Sequence, residues 1–384
     1  MKNVILTWSL RLFMAAVVML SMLSLFLTFT PQGRAGFHTV LFVLQVLELP
    51  VQPQSWFTKD PVRRTVTYPQ SAGTGVADIY RIPDDQERAA VLLFLGANAA
   101  GRDDEDVVNL GNALARAGFV TMFHWSPTMA LQNNIDPAEI ENLVWAFQYL
   151  KERDFVDRRR VGIGGFCVGA SFALVAAADG RIRDDVSFIN AFGPYYDARD
   201  LLLQVASRSR YFQGQREPWE PDPLTLKVLA NELIETLTNP GDRDLMHRIY
   251  VQGQNVARSE LDGLSDPALR VRQLLDGTTP EEAEQLYREL PADFRENMSR
   301  ISPSTYAAGL EARLMILHDR DDLLVPAAES RRLAQALEQR GDYRYTELLA
   351  FEHVRPTSGG GIWSLAKEGF KLSRHMYGIL READ

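Results

Sequence analysis

The fold of this chain is decided by residues 161–171, which read Val161-Gly162-Ile163-Gly164-Gly165-Phe166-Cys167-Val168-Gly169-Ala170-Ser171. The first of these residues predict a short buried strand, and the small apolar side chains from Val168 onward predict a helix. Between them lies the pattern Gly-x-Cys-x-Gly, which is typical of a strand-to-helix turn that presents a nucleophile, with Cys in place of the usual Ser. The two glycines are needed because a Cβ atom at either position would collide with the neighbouring strand or helix.

Cys167 is the only cysteine of the chain, so it cannot form an intramolecular disulfide. The N-terminus of the helix that follows favours a thiolate, and we expect the pKa of this thiol to lie below its ordinary value. The turn therefore predicts that Cys167 is a nucleophile. The alternative is an inert, buried cysteine in a glycine-rich turn.

Strands and helices alternate on both sides of this turn. The predicted strands cover residues 62–68, 76–82, 89–95, 119–123, 160–163, 186–192, 314–317 and 343–349. The predicted helices of the same part of the chain cover residues 106–117, 136–153, 168–177 and 362–380, and a further helix begins at Pro326. This alternation predicts an α/β fold with a mostly parallel central sheet covered by helices on both faces. His124 follows one predicted strand, where it is either a substrate contact or an ordinary loop histidine.

Residues 197–300 interrupt the alternation. Amphipathic helices are predicted over residues 224–237, 245–251, 269–275 and 280–290. Thr279 and Glu282 form a capping box at the start of the last of these. Because the segment leaves from the carboxyl edge of the sheet, we expect a helical cap or lid over the site. The alternative is a peripheral helical domain with no role in binding.

The turn and its surroundings resemble the α/β-hydrolase superfamily and, with Cys as the nucleophile, most closely its dienelactone hydrolase branch. The resemblance covers roughly residues 65–195 and 300–384. The run from His318 to Pro326 is similar to the superfamily's His-Gly-x-x-Asp-x-x-Val-Pro, with Asp319 in place of the Gly. Dienelactone hydrolases carry a Glu in the loop that corresponds to residues 96–101, and this sequence has none there.

The resemblance implies a catalytic triad of Cys167, Asp322 and His353, with Asp321 as the alternative acid. His353 follows the last predicted strand, where the superfamily places its base. The backbone amides of Ala97 and Val168 would form the oxyanion hole. The triad and the oxyanion hole require no metal and no organic cofactor.

The composition of the chain bears on which partners it binds. The chain has 384 residues, with 41 basic and 50 acidic side chains, a net charge of −9 and 46% hydrophobic residues. This acidic balance gives no sign of a nucleic-acid partner. The oligomeric state stays open.

The N-terminal region, residues 1–55, differs from the rest. Residues 12–29 form an uncharged apolar run that predicts a retained single-span transmembrane anchor, with a cleaved signal peptide as the alternative. A second apolar stretch over residues 40–51 is an interfacial helix or the return half of a hairpin. A single span and a hairpin place the catalytic domain on opposite sides of the membrane, so the side stays open. The predicted domains are this region, an α/β-hydrolase core over residues 60–196 and 301–384, and the cap over residues 197–300.

These residues together predict a membrane-anchored hydrolase. Its small-molecule acyl substrate would be an ester, a thioester or a lactone, cleaved through an acyl-enzyme on Cys167. Two alternatives remain: an acyltransferase that uses the same triad, and a non-catalytic binding or scaffold protein on a hydrolase fold.

Overall fold

The computed structural model describes residues 2–46, 53–70, 73–97, 101–349, 351–352, 355–356 and 362–383. An eight-stranded sheet runs through the centre of the protein, in the order β1-β2-β4-β3-β5-β6-β9-β10. Its strands are β1 (Val62–Gln70), β2 (Gly73–Arg81), β3 (Arg88–Phe94), β4 (Val120–Trp125), β5 (Val156–Phe166), β6 (Val186–Phe192), β9 (Arg313–Asp319) and β10 (Tyr343–Leu348). Only β2 runs in the direction opposite to the other seven strands, so the prediction of a mostly parallel sheet is confirmed.

Helices cover both faces of this sheet. The first half of the chain contributes α1 (Lys2–Phe29), α2 (Pro31–Val46), α3 (Gln54–Phe57), α4 (Glu105–Arg116), α5 (Pro127–Gln132), α6 (Ala138–Lys151) and α7 (Val168–Ala177). Strand β3 shows why both faces are covered, because its alternate residues enter two different hydrophobic clusters. Ala90, Leu92 and Phe94 pack with α6 and α7. Val91 and Leu93 pack on the other face, where α2 and α4 lie.

The segment between β6 and β9 is mainly helical. It contains α8 (Ala198–Ala206), a hairpin of β7 (Ser209–Phe212) and β8 (Gln215–Pro218), then α9 (Pro223–Glu235), α10 (Pro240–Tyr250), α11 (Arg258–Leu261), α12 (Asp266–Asp276), α13 (Pro280–Glu289), α14 (Ala292–Arg300) and α15 (Pro303–Tyr306). The predicted capping box is present, since the Thr279 hydroxyl accepts from the Glu282 amide at 3.3 Å and Glu282 accepts from the Thr279 amide at 3.3 Å.

The chain ends with α16 (Ala327–Ala336), the short antiparallel strands β11 (Phe351–Glu352) and β12 (Arg355–Pro356), and α17 (Ile362–Leu380). Helix α17 lies on the same face of the sheet as α2 and α4, because Ile379 and Leu380 share a hydrophobic cluster with side chains of both helices.

The predicted membrane anchor is wrong. Among the residues that the structure describes, no helix has both the length and the apolar character that crossing a bilayer requires. The single-span anchor over residues 12–29, and the membrane contact and localisation that follow from it, are therefore not supported.

The second apolar stretch, predicted over residues 40–51, is apolar because part of it packs in the protein core. Its part in α2 carries Leu41, Phe42 and Val43, which are each less than 9% exposed. Phe42 and Val43 belong to the core cluster that α4 and α17 share. These side chains are apolar because they are buried against the sheet domain, so α2 is a part of the core.

Candidate active site

Cys167 sits at a strained turn. It follows β5 directly and precedes α7, with φ 53° and ψ −129°. Its amide donates to the carbonyl of Phe192 at 2.8 Å, and its carbonyl accepts from the Ala170 amide at 3.0 Å. A positive φ is costly for any residue other than glycine and is kept only where the surrounding structure enforces it. The strand-to-helix turn predicted for Cys167 is confirmed.

The two glycines of the turn allow the backbones to approach closely. A Cβ on Gly165 would lie 2.5 Å from the Phe94 carbonyl oxygen, and one on Gly169 would lie 2.4 Å from the same atom. Gly96 has φ +68°, and a Cβ on it would lie 2.5 Å from the Gly169 amide nitrogen. Strand β5, helix α7 and the loop after β3 therefore meet at van der Waals distance around Cys167.

The two residues predicted for the oxyanion hole, Ala97 and Val168, line one cavity together with Cys167. The Val168 amide donates a hydrogen bond to the Cys167 sulfur. The Ala97 carbonyl accepts from the Asn133 side chain at 3.4 Å, which ties the loop after β3 to the end of α5. Residues 98–100 of this loop lie outside the described residues.

Asp322 is the buried acid of the loop after β9. Its Oδ1 accepts from the amides of Leu324 and Val325, at 2.6 and 3.2 Å. Its Oδ2 lies 3.5 Å from the position of a Cβ on Gly193, the residue after the Phe192 carbonyl that binds Cys167. Asp321, the alternative acid, is exposed. Asp322 is therefore a buried acid that lies close to the turn of Cys167.

His318, the first residue of the motif, stabilises the loop that carries Asp322. The ring is fully buried. Its Nδ1 lies 2.6 Å from Ser330 Oγ and its Nε2 lies 2.8 Å from the Val325 carbonyl oxygen. The same Nε2 is 3.5 Å from Asp322 Oδ2. His318 therefore fixes the loop from the sheet side.

His353, predicted as the base of the triad, lies outside the described residues. The structure therefore brings together Cys167, Asp322, Ala97 and Val168, and leaves the position of His353 as a prediction.

The thiol of Cys167 is harder to ionise than the sequence suggested. Burial raises its pKa to about 12, the negative charge of Asp322 acts in the same direction, and the hydrogen bond from Val168 opposes both. This direction is opposite to the lowered pKa expected from the helix N-terminus. The apolar surroundings of the sulfur outweigh the helix-end amides, because desolvation disfavours the charged form.

Cys167 lines a cavity of about 1000 Å³. One side of it is formed by α8, α9 and α14, so the helical segment of residues 197–300 contributes directly to the walls. The same segment holds the acid loop: the Trp219 indole donates to the Asp322 carbonyl at 3.1 Å, and the Thr225 hydroxyl donates to the Leu324 carbonyl at 3.0 Å.

Glu232 on α9 is a wall residue that sequence reasoning missed. Its carboxylate accepts from the Ile135 amide at 2.7 Å. Burial raises the pKa of this carboxyl to about 7; the hydrogen bond from Ile135 opposes that rise, and the charges of Glu235 and Asp136 add to it. A signal was present in the sequence, because Glu232 falls in the helical stripe of Leu224 and Val228 at four-residue spacing.

His124, predicted as either a substrate contact or a loop histidine, is a buried residue of a strand. It lies in β4 with its ring 1% exposed. Its Nδ1 is 2.5 Å from the Tyr68 hydroxyl and its Nε2 is 2.7 Å from Glu139 Oε2. This buried row of side chains joins β1 to α6 across the sheet.

The sequence of this chain has low identity to the known proteins that it resembles. No protein-family model matches the chain. A probable 2-oxo-3-(5-oxofuran-2-ylidene)propanoate lactonase from a Bradyrhizobium species is 28% identical over 129 residues, which cover 28% of this chain and 51% of that protein. The chain thus spans about half the length of the curated relative it matches.

Among solved structures, an esterase from Pyrobaculum calidifontis covers 91% of this chain and 92% of its own, with 13% identity and a TM-score of 0.47. Dipeptidyl peptidase 4 of Porphyromonas gingivalis covers 84% of this chain and 35% of its own, with 12% identity and a TM-score of 0.49. An acylaminoacyl peptidase from Pyrococcus horikoshii covers 85% and 42%, with 13% identity and a TM-score of 0.47.

The chain's own geometry establishes the fold class. Its mostly parallel sheet carries a strained strand-to-helix turn at its carboxyl edge, with a positive φ at the residue in the nucleophile position. This combination is the α/β-hydrolase fold.

Proposed function

We propose that this protein is a hydrolase that cleaves an ester, a thioester or a lactone through an acyl-enzyme on Cys167. One observation carries the proposal: a cysteine held at positive φ faces a cavity of about 1000 Å³ at the carboxyl edge of the sheet. The strain at such a turn costs stability, and it is kept where it aims a side chain at a substrate.

In the proposed reaction, the Cys167 sulfur attacks the carbonyl carbon of the substrate. Because the thiol pKa is raised to about 12, the resting sulfur keeps its proton at neutral pH and needs a base. His353 takes that proton and passes it to the leaving oxygen or sulfur as the thioester forms. His353 then takes a proton from water, which attacks the thioester carbonyl; the C–S bond breaks, the sulfur regains its proton from His353, and the carboxylic acid is released. Asp322 orients His353 and stabilises its charged form.

The amides of Ala97 and Val168 are the proposed oxyanion hole. Both residues face the cavity beside Cys167. Two amides aimed at the developing oxyanion stabilise the transition state more than the substrate, which is what acceleration requires.

The helical segment of residues 197–300 is the proposed cap. Its helices α8, α9 and α14 form walls of the cavity, and its Trp219 holds the acid loop. The likeness to the Bradyrhizobium lactonase supports hydrolysis of a carboxylic ester bond and makes lactones a class to test first.

The test is a panel of p-nitrophenyl esters, thioesters and unsaturated lactones, assayed with wild type, Cys167→Ala and Cys167→Ser. Turnover should fall to background in Cys167→Ala and keep a trace in Cys167→Ser. Asp322→Asn keeps the Oδ1 acceptor for Leu324 and Val325, so it should stay folded and lower kcat by about 10²–10⁴-fold, the range of general acid–base contributions.

Asp321→Asn is the matched control, since Asp321 is the exposed neighbour and should retain wild-type kcat. Equal turnover of wild type and Cys167→Ala would overturn the proposal. Transfer of the acyl group to added alcohols or amines in preference to water would favour an acyltransferase, and a complete lack of turnover would favour a binding protein.

A further inference from the structure

The cavity extends well beyond the nucleophile, into the layer between the sheet and three helices. Its walls there include Val91, Leu93 and Leu95 from β3 and the residue that follows it. These side chains point to the face of the sheet opposite α7, where α2, α4 and α17 pack. We call this part of the cavity the apolar arm and define it by the lining residues on β3, α2, α4 and α17, together with Leu95, Phe119 and Asn190.

The apolar arm is deep. Leu95 is at the carboxyl edge of the sheet beside the nucleophile turn, and Val91 lies four residues back along the strand. At about 3.3 Å per residue, the arm therefore runs about 13 Å from the sheet edge. Leu114 and Phe119 also line the cavity and continue the wall toward the start of β4.

Each helix presents an apolar stripe to the arm. The lining side chains are Phe42, Val43 and Val46 on α2, Val107, Leu110 and Leu114 on α4, and Leu372, Met376 and Ile379 on α17. On α4 and α17 the spacings are three, four and seven residues, and on α2 they are one, three and four residues, so each set lies on one helix face. Aliphatic and aromatic groups therefore form most of the arm's walls on both the sheet side and the helix side, and the carboxylate of Asp106 lies at the exposed start of α4.

The polar lining side chains include the carboxylates of Asp104 and Asp106 at the start of α4, of which Asp106 is exposed, and two asparagines that are bonded to other parts of the protein. Asn190 Oδ1 lies 3.2 Å from His375 Nε2, and Asn109 Oδ1 accepts from Gln45 at 2.7 Å. Because these asparagine oxygens already have partners, a polar ligand atom beside them in the arm would stay without a hydrogen bond. Burying such an unpaired polar atom costs free energy. The occupant that the walls favour is a hydrocarbon chain.

We propose that the apolar arm binds the aliphatic chain of the acyl group, which places its carbonyl carbon at Cys167 and its leaving group on the cap side of the cavity. This inference rests on the proposed function for the position of the carbonyl. It adds that the substrates carry a medium or long alkyl chain. A flexible chain suits a slot between a sheet and a helix layer better than a rigid ring system, because its torsions adjust to the walls.

The first measurement is kcat/KM for p-nitrophenyl acetate, butyrate, hexanoate, octanoate and decanoate. If the chain enters the arm, kcat/KM should rise about fourfold per methylene, which corresponds to the free energy of burying one CH₂ group. The rise should stop when the arm is full. A profile that is flat or that falls beyond butyrate would overturn the inference while leaving the hydrolase proposal intact.

The second measurement uses a matched pair of variants on α2. Val43 faces the arm and is 8% exposed, whereas Val40 is 56% exposed. Val43→Trp fills the arm and should lower the ratio of decanoate to acetate kcat/KM at least tenfold. Val40→Trp adds the same side chain outside and should leave that ratio unchanged. If Val43→Trp unfolds, as judged by circular dichroism, Leu110→Trp on α4 replaces it.

The third measurement does not depend on catalysis. Calorimetric titration of 1-decanol and 1-butanol into Cys167→Ala should show binding of decanol only, and Val43→Trp in that background should abolish it. If decanol binds to Cys167→Ala but wild type hydrolyses none of the esters, the inference about the arm is supported and the hydrolase proposal is refuted. The absence of decanol binding to Cys167→Ala would refute the arm.

Discussion

Cys167 is subject to two opposing influences at the scale of a single residue. The amide of Val168 stabilises a thiolate, while burial and the charge of Asp322 disfavour it. Burial prevails because the sulfur lies against an apolar cavity wall, and one amide replaces only part of the lost hydration. The raised pKa therefore favours the neutral thiol of Cys167 at neutral pH.

Alkylation measures this state directly, because Cys167 is the only cysteine. With the thiol pKa raised to about 12, iodoacetamide should react slowly at neutral pH, and the rate should keep rising through pH 10. Intact mass gives the modified fraction at each pH. Rapid reaction at pH 6–7 that is lost in His353→Ala would contradict the expectation and show that an imidazolium holds the thiolate.

Helix α9 offers a second titrating group, at the scale of the element. The folded-state pKa of Glu232 is about 7, above its ordinary value of 4.5, so the folded protein binds more protons than the unfolded chain between these values. Stability therefore falls as pH rises through this window, and the penalty is fully present above it.

Glu232→Gln removes this penalty and keeps the acceptor for the Ile135 amide. The melting temperature of the variant relative to wild type should rise between about pH 4.5 and pH 8. Glu235→Gln on the exposed side of the same helix should show no such trend. The measurement is the melting temperature of each protein at three pH values between about 4.5 and 8. If the melting temperatures of wild type and Glu232→Gln change with pH in parallel, the Glu232 carboxylate is solvated.

The turn between β5 and α7 is a test of close packing. Gly169→Ala places a Cβ 2.4 Å from the Phe94 carbonyl oxygen and 2.6 Å from the Gly96 amide nitrogen. Both are backbone atoms that cannot rotate away, so we expect a loss of about 1–3 kcal/mol in the free energy of unfolding. Gly180→Ala meets no atom within 4 Å and should stay within about 0.5 kcal/mol of wild type. Urea denaturation measures both, and equal stability of the two variants would mean that the turn relaxes.

At the scale of the whole molecule, α2 belongs to the core although it precedes the sheet. Phe42 is 3% exposed and packs with α4 and α17. Phe42→Ala should cost about 3 kcal/mol, the lower end of the usual range for this change, because part of the ring already faces the cavity.

Val40→Ala is the control on the exposed face of α2 and should change the free energy of unfolding by less than about 0.5 kcal/mol. Denaturant unfolding of the full chain measures both. A neutral Phe42→Ala would mean that the N-terminal helices form a unit apart from the core, as the division at residue 55 predicted.

The sequence alone determined the features that depend on neighbouring residues. Period-two and continuous apolar runs predicted the strands, and the order of strands and helices predicted the mostly parallel sheet. Gly165, Cys167 and Gly169 predicted the strained turn, because the backbone geometry of such a turn admits few residue types. Asp322 followed from its motif, and the roles of Cys167, Asp322 and His353 in catalysis stay predictions.

Only the tertiary structure decided the features that depend on segments far apart in the chain. An apolar helix has the same composition whether it crosses a bilayer or packs on a sheet, so the burial of α2 against α4 and α17 could not be read from its residues. The raised pKa of Cys167, the exposure of Glu232 to the cavity, and the apolar arm arise in the same way. Each is set by the shape and polarity of the space that distant elements enclose, and local sequence carries no record of that space.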